Sequence, residues 1–197
     1  MAPFWPVVLQ QDNLVLRPLK LRDKKEWTKL RQRNQNWFQP WESTVPDEFS
    51  DGKASFYQIV KNLRIEAKAQ RSLPFVMEID KKIAGQITVA NINYGSTRSA
   101  YIGYWIAEEF AGKGYTPLAV AMAIDHCFEV LKLHRLEITI RPENLKSLRV
   151  VEKLGLRSEG LRPKYLHIDG DWRDHLVFAI NKDEYNESLV LKMKNLK

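Results

Sequence analysis

The stretch SAYIGYWIAEEFAGKGYTPLAVAMAIDHCFEVLKLHRLEITI, residues 99–140, runs from strand through loop and helix to a second strand. Its first part, SAYIGYWI at 99–106, carries the aromatic and branched side chains of a strand. PLAVAMAIDHCFEVLKL, from Pro117, is apolar almost all round, which is the mark of a helix buried against a sheet. Pro117 suits the first helical turn, where a missing N–H costs nothing, and Thr116 reads as the N-cap. RLEITI, 135–140, is again a strand. Strand, helix and strand in this order predict a right-handed crossover between parallel neighbours.

Upstream, LPFVMEI (73–79) and KIAGQITVANI (82–92) are joined by a short DK link, and NYGSTR turns the chain into residue 99. These three strands predict an antiparallel meander. Before them come the strand NLVLRPL (13–19) and a helix over LRDKKEWTKLRQRN with Asp23 as N-cap. NWFQPWESTVPDEF (36–49) reads as a structured surface loop, and a second helix is predicted from Asp51 to Gln70 on the spacing of Phe56, Ile59, Val60, Leu63 and Ala67. Downstream, NLKSLRVVEKLG predicts a helix from an Asn144 N-cap to a Gly155 stop, and LRSEGLRPKYLHIDGDWRDHLVFAI a closing hairpin turning at Asp169-Gly170. The sum is an α/β (α+β) fold: a mixed, mostly antiparallel central sheet of about seven strands flanked by about four helices. No internal repeat or linker divides residues 1–197, so a single domain is expected.

Hydrophobic residues form 44% of the chain and charged residues 28%, which is globular composition and excludes disorder. No apolar run approaches the roughly 18 residues of a membrane span. The opening MAPFWPVVLQQDN lacks the basic flank and long apolar run of a signal peptide, so a soluble cytoplasmic protein is expected. Cys127 sits in an apolar helical pattern and reads as a packed small hydrophobe. His126, His134, His167 and His175 share no ligand spacing with it, so no metal site is assigned. A net charge of +7 fits either a basic surface or a polyanionic partner. No Lys/Arg tract interleaved with aromatics singles out nucleic acid.

The loop AGKGYT, 111–116, resists the common phosphate motifs. A P-loop ending at Gly112-Lys113 needs glycine where Ala107 stands and Ser or Thr where Gly114 stands; a dinucleotide fingerprint meets Pro117 in place of its third glycine. What remains is a short glycine-containing loop entering a helix. The backbone N–H groups of Ala111, Gly112, Lys113, Gly114, Tyr115 and Thr116 would face an anion such as a pyrophosphate, with Lys113 adding charge at the rim. A plain strand-to-helix connector would look the same.

RPENLKSLRVVEKLGL (141–156) resembles the GNAT acetyltransferase segment in which an asparagine and a serine at i and i+3 open a helix beside the cofactor. Here these are Asn144 and Ser147, and Leu156 stands in place of phenylalanine. The AGKGYT loop resembles the same superfamily's acetyl-CoA loop, Q/R-x-x-G-x-G/A, departing at Ala111 and Thr116. NQNWFQPWES with Phe38 for leucine, ITVANI, YIGYWI and YLHIDGDWRDHLVFA resemble the Rim-type branch that acetylates N-terminal alanine of ribosomal proteins.

The resemblance implies a GNAT-type fold and acetyl-CoA as cosubstrate, without a metal. It places the pyrophosphate on the amides of 111–116, and the pantetheine along the backbone of Tyr104, Trp105 and Ile106 and against Asn144. Ser147 becomes the residue that protonates the departing thiolate, and Glu42 the one that orients the acceptor ammonium or deprotonates it through water. Trp41, Asn91, Tyr165 and Asp174 become acceptor-site residues. An α-amine, with a pKa of about 7.7 to 8.0, is appreciably neutral where a lysine at about 10.4 is not, so a strong base is dispensable. The implied partner is the N-terminus of a protein, ribosomal by analogy, although a basic enzyme gains no charge steering toward a basic tail. Two rival readings are an acetyltransferase for a small-molecule amine and a non-catalytic ribosome- or RNA-binding module on the same fold.

Overall fold

The computed structural model describes residues 4–46, 49, 52 and 54–195. Strands β1 (Leu9–Gln11), β2 (Leu14–Pro18), β3 (Leu73–Ile79), β4 (Lys82–Asn93), β5 (Ser99–Ile106), β6 (Arg135–Ile140), β7 (Arg157–Ile168) and β8 (Asp171–Asn181) form one sheet in the order β1-β2-β3-β4-β5-β6-β8-β7. Around it lie α1 (Lys24–Arg33), α2 (Gln35–Phe38), α3 (Phe56–Lys68), α4 (Tyr115–Glu129), α5 (Leu145–Leu154) and α6 (Leu189–Asn195). The elements beyond the expected seven strands and four helices are β1, α2 and α6, all too short to carry a periodic signal.

Each local signal has a visible cause. Asp80 and Lys81, at φ 48° and 64°, make the tight β3–β4 turn, and Asp169 and Gly170, at φ 49° and 80°, the β7–β8 turn. Asn144 Oδ1 accepts the Ser147 N–H at 3.1 Å to start α5, and Gly155 ends it at φ 75°. The helix expected from Asp51 begins at Phe56 behind the Ser55 cap; Asp51 itself lies outside the described residues. Two expected caps are corrected. Asp23 makes no side-chain cap to α1, because its carboxylate accepts from Arg17 at 2.8 Å and from the Lys20 N–H at 2.8 Å. Thr116 is not the α4 cap: Gly114, left-handed at φ 83°, ends the loop two residues earlier, and the helix starts at Tyr115.

Neighbouring strands are antiparallel except β5 and β6, which form the predicted parallel pair. That pair is short. Ser99, Ala100 and Tyr101 match Arg135, Leu136 and Glu137, after which β5 runs on to Ile106 and β6 to Ile140 without further pairing. The strands therefore splay, leaving a notch in the middle of the sheet.

One face of the sheet is covered by α4, whose Ala119–Ile124, Cys127 and Phe128 are buried, together with α5 and α6. Burial pushes the Cys127 thiol up to about 12, which keeps it an inert apolar filler. On the other face α1, α2 and α3 cover β3 and β4 through Trp27, Leu30, Phe38 and Phe56. Farther along this face Glu137 of β6 and His175, Val177 and Ala179 of β8 are buried, and β5 is where it is bare. Gly103 is exposed in mid-strand, and a Cβ there would meet nothing within 4 Å.

Gly85 of β4 is the opposite case. An added Cβ would stand 2.3 Å from the Trp105 carbonyl oxygen and 2.6 Å from Met77 Cε, beside the bulge at Met77/Glu78. Gly85→Ala is expected to destabilise the protein by about 1–3 kcal/mol, as overpacking does. Urea unfolding measures it, and an unchanged midpoint would show that β5 can shift freely.

Candidate active site

A single 3-10 turn, Glu108–Phe110, follows β5, and the Ala111 N–H donates into it, to Glu108 O at 3.0 Å. Ala111 is thus a correction to the expected row of outward amides, since its N–H is consumed locally. Among the described residues, the N–H groups of Gly112, Lys113, Gly114, Tyr115 and Thr116 donate to no protein acceptor. Gly112 and Gly114 take φ 76° and 83°, left-handed values that curl these amides around the positive end of α4. This is an anion cradle by geometry. The Lys113 ammonium lies 6.0 Å from the Phe110 ring centre at its rim. The Tyr115 side chain points elsewhere: its hydroxyl accepts from Asn13 Nδ2 at 3.2 Å, tying α4 to the β1–β2 turn. Beside Gly114 a cavity of about 280 Å³ is lined by Asp12, Pro117, Leu118, Met193 and two cations, Lys153 and Lys194. Those lysines come from α5 and α6, so no local motif announces them.

The cradle leads into the notch. The Ala107 N–H donates to Ala84 O at 2.8 Å, and antiparallel alternation then turns the backbone groups of Trp105 toward Gln86 of β4. Those of Tyr104 and Ile106 face the opening. Trp37 of α2 reaches the same edge: its indole N–H donates to Ile106 O at 3.0 Å, and its ring lies 3.8 Å from Lys146 Nζ. Across the notch stands the start of α5. The Tyr104 hydroxyl donates to Ser147 O at 3.4 Å, and burial raises its pKa, so it stays protonated. The Ser147 side chain lies within hydrogen-bonding reach of the same Tyr104 hydroxyl.

On the open face, Arg31 organises one wall. Its guanidinium lies 5.8, 4.9 and 5.1 Å from the ring centres of Trp27, Phe38 and Trp105 and pairs with Glu42. The Glu42 carbonyl accepts the Asp169 N–H at 3.1 Å, and the Thr44 N–H donates to His167 O at 3.0 Å. Residues 42–44 are thereby stitched to the tip of the β7–β8 hairpin. Trp41 lies 5.3 Å from the Arg141 guanidinium, which donates to Pro40 O at 2.7 Å. Tyr165 sits between Arg162, at 5.0 Å, and the ring of His175, at 6.1 Å. Asp174 is structural in appearance: its carboxylate accepts the Lys164 N–H at 2.8 Å, where β7 bulges.

The structure thus places Trp41 and Glu42 on a wall with Arg31 and Arg141, Tyr165 beside His175 and Arg162, and Asp174 at the bulge of β7. Asn91 sits apart, at a β4 irregularity with φ 53°, in a second cavity of about 280 Å³ against α3. Sequence reading missed Arg31, Trp37, Arg141 and His175, whose placement depends on packing between distant segments. Three carboxylates of this mouth are matched by arginines, Glu42 by Arg31, Glu137 by Arg135 and Arg162, and Glu143 by Arg141, whereas Asp174 is held by the Lys164 N–H. Among the described residues no cluster of His, Cys, Asp or Glu is grouped to hold a metal, and no helix is long and apolar enough to cross a membrane.

A strand edge left open in a splayed sheet, a glycine-shaped anion cradle and a capped helix opposite are what an extended ligand ending in a pyrophosphate requires. The sequence matches the acetyltransferase (GNAT) domain family over residues 13–157. A structure of Mycobacterium smegmatis RimJ in complex with CoA-disulfide superposes with a TM-score of 0.91 at 38% identity, covering 100% of this chain and 97% of that one. The [ribosomal protein uS5]-alanine N-acetyltransferase of Escherichia coli is 31% identical across 91% of this chain and 93% of its own length. Spermidine N(1)-acetyltransferase of the same organism is 30% identical across 76% of this chain and 74% of its own. The chain belongs to the GNAT acetyltransferase family.

Proposed function

We propose that this chain transfers the acetyl group of acetyl-CoA to the α-amine of a protein N-terminus, an alanine of a ribosomal protein, by direct transfer in a ternary complex. It does so as a cytoplasmic enzyme whose single catalytic domain spans 1–197. The observation that carries the reading is the notch between β5 and β6, with uncommitted amides at 112–116 on one side and Ser147 on the other.

In this reading the pyrophosphate takes the N–H groups of Gly112 to Thr116, and Lys153 and Lys194 receive the phosphate and ribose beyond. The backbone of Tyr104 and Ile106 receives the pantetheine, with the Trp37 indole leaving Ile106 O as it enters. Acetyl-CoA supplies an activated thioester; the residues supply position. Asn144 fixes the first turn of α5, and the Ser147 hydroxyl, beside that of Tyr104, protonates the thiolate. With a thiol pKa of about 8.5, that leaving group needs little help. The acceptor enters on the opposite face, across Gly103, between the Trp41–Glu42 wall and Tyr165.

The relatives include an enzyme named for spermidine, so a small-amine acceptor is the second reading. The charge of the mouth favours the first. A polyamine is held by unpaired carboxylates, whereas Glu42, Glu137 and Glu143 here are each neutralised by arginine. Glu42, already held by Arg31, then orients the ammonium rather than anchoring a polycation.

Incubation with acetyl-CoA and either an alanine-starting peptide or spermidine, followed by mass spectrometry, separates the two. The peptide is expected to gain one acetyl group at its N-terminus at least tenfold faster. Faster acetylation of spermidine would replace this reading with the second, and turnover of neither would remove both.

Gly114→Val puts a β-branched residue at φ 83° and fills the cradle, a conformation costing about 1–2 kcal/mol. Acetyl-CoA affinity by calorimetry is expected to fall at least tenfold while the thermal midpoint without ligand moves only slightly. Unchanged affinity would place the pyrophosphate elsewhere.

A further inference from the structure

His175 is 3% exposed on β8, on the face of the sheet opposite α4. The antiparallel register puts Leu176 opposite Ile140, so His175 faces the end of β6, where the notch is widest and the chain turns toward Asn144. Its Nδ1 lies 2.9 Å from Arg173 O. A carbonyl only accepts, so Nδ1 carries the proton and Nε2 presents a lone pair. No group among the described residues takes Nε2, yet it is not among the buried polar atoms left without a partner. It therefore keeps a small contact with solvent although the residue is buried. This is the arrangement of a general base: one tautomer selected by a backbone carbonyl, the other nitrogen bare.

Resting on the reading of this site as an α-amine acetyltransferase, the geometry points to His175 as the base that takes the proton from the acceptor ammonium, directly or through one water. Glu42 is less suited, being held by Arg31 on the far wall. The surroundings of His175 agree. Arg141 and Glu143 approach from the turn after β6, Asp174 adjoins it on β8, and Arg162 and Tyr165 face it from β7. Burial is the main cause that keeps the ring neutral, lowering its pKa below the usual histidine value.

The step balances as follows. The ammonium gives one proton to Nε2 and becomes a neutral amine. Its lone pair forms the N–C bond to the thioester carbonyl, the C–S bond breaks, and the sulfur leaves as thiolate. The amine nitrogen's second proton reaches that thiolate by way of the Ser147 hydroxyl, and the proton on His175 passes to solvent. The products are amide, free thiol and one released proton.

The test is the pH dependence of kcat for His175→Asn with saturating alanine-starting peptide. The asparagine amide retains a donor to Arg173 O and lacks the second nitrogen, so folding and Tyr165 packing are preserved while the base is lost. Without a base the enzyme must wait for amine that is already neutral, a population that falls tenfold per pH unit below about 8. The variant is expected to work within about threefold of wild type at pH 9 and about 30-fold more slowly at pH 6.5, with the KM for acetyl-CoA unchanged. A purely structural histidine predicts a deficit equal at both pH values, and that result, or no deficit, would overturn the assignment. Wild-type turnover is the internal control. If the wild type acetylates neither peptide nor spermidine, the parent reading fails and takes this assignment with it; if it does and the variant's profile is parallel, only the histidine fails.

Discussion

The divergence of two parallel strands after three residue pairs governs the rest of this molecule. Up to Tyr101 and Glu137 the sheet is closed; beyond them β5 keeps its antiparallel partner β4 while β6 keeps β8, and no further backbone pairing joins β5 to β6. An open strand edge inside a sheet leaves backbone donors and acceptors in need of partners. Here the Trp37 indole and the Tyr104 hydroxyl attend to part of that edge region. A ligand with amides along its length satisfies the rest in the manner of an added strand.

Two further features make the notch usable. The buried helix α4 starts directly after it, so its positive end and the Gly112–Gly114 curl lie at one mouth. The proposed reading keeps cofactor and acceptor to opposite sides: the amide cradle lies on the α4–α5 side, and the proposed acceptor side is the face where Gly103 is exposed beside the β7–β8 hairpin. Arginines pair with Glu42, Glu137 and Glu143 on this side, and that pairing is what favours the proposed single amine over a polycation.

How far the chain alone revealed this depended on the range of each interaction. The α5 caps at Asn144 and Gly155, the two tight hairpins and the apolar α4 were readable because their causes lie within a few residues. Asp23 was misread because its carboxylate is taken by Arg17, a strand residue outside the helix pattern. Ala111 was misread because a 3-10 turn before the loop captures its N–H. The resemblance singled out Trp41 and Tyr165 but offered no reason to single out His175, one residue past Asp174. Its face and free nitrogen follow from strand register and from the carbonyl of Arg173, neither of which has a sequence signature. Lys153 and Lys194 converge only once α6 docks beside α5.

Hydrogen–deuterium exchange with and without CoA addresses the central claim most directly, because the amides in question donate to no acceptor among the described residues. The account predicts that Gly112–Thr116 exchange rapidly alone and become protected on binding, with Tyr104, Ile106 and the first turn of α5 following. Protection confined to another part of the sheet, or none at saturating CoA, would contradict it.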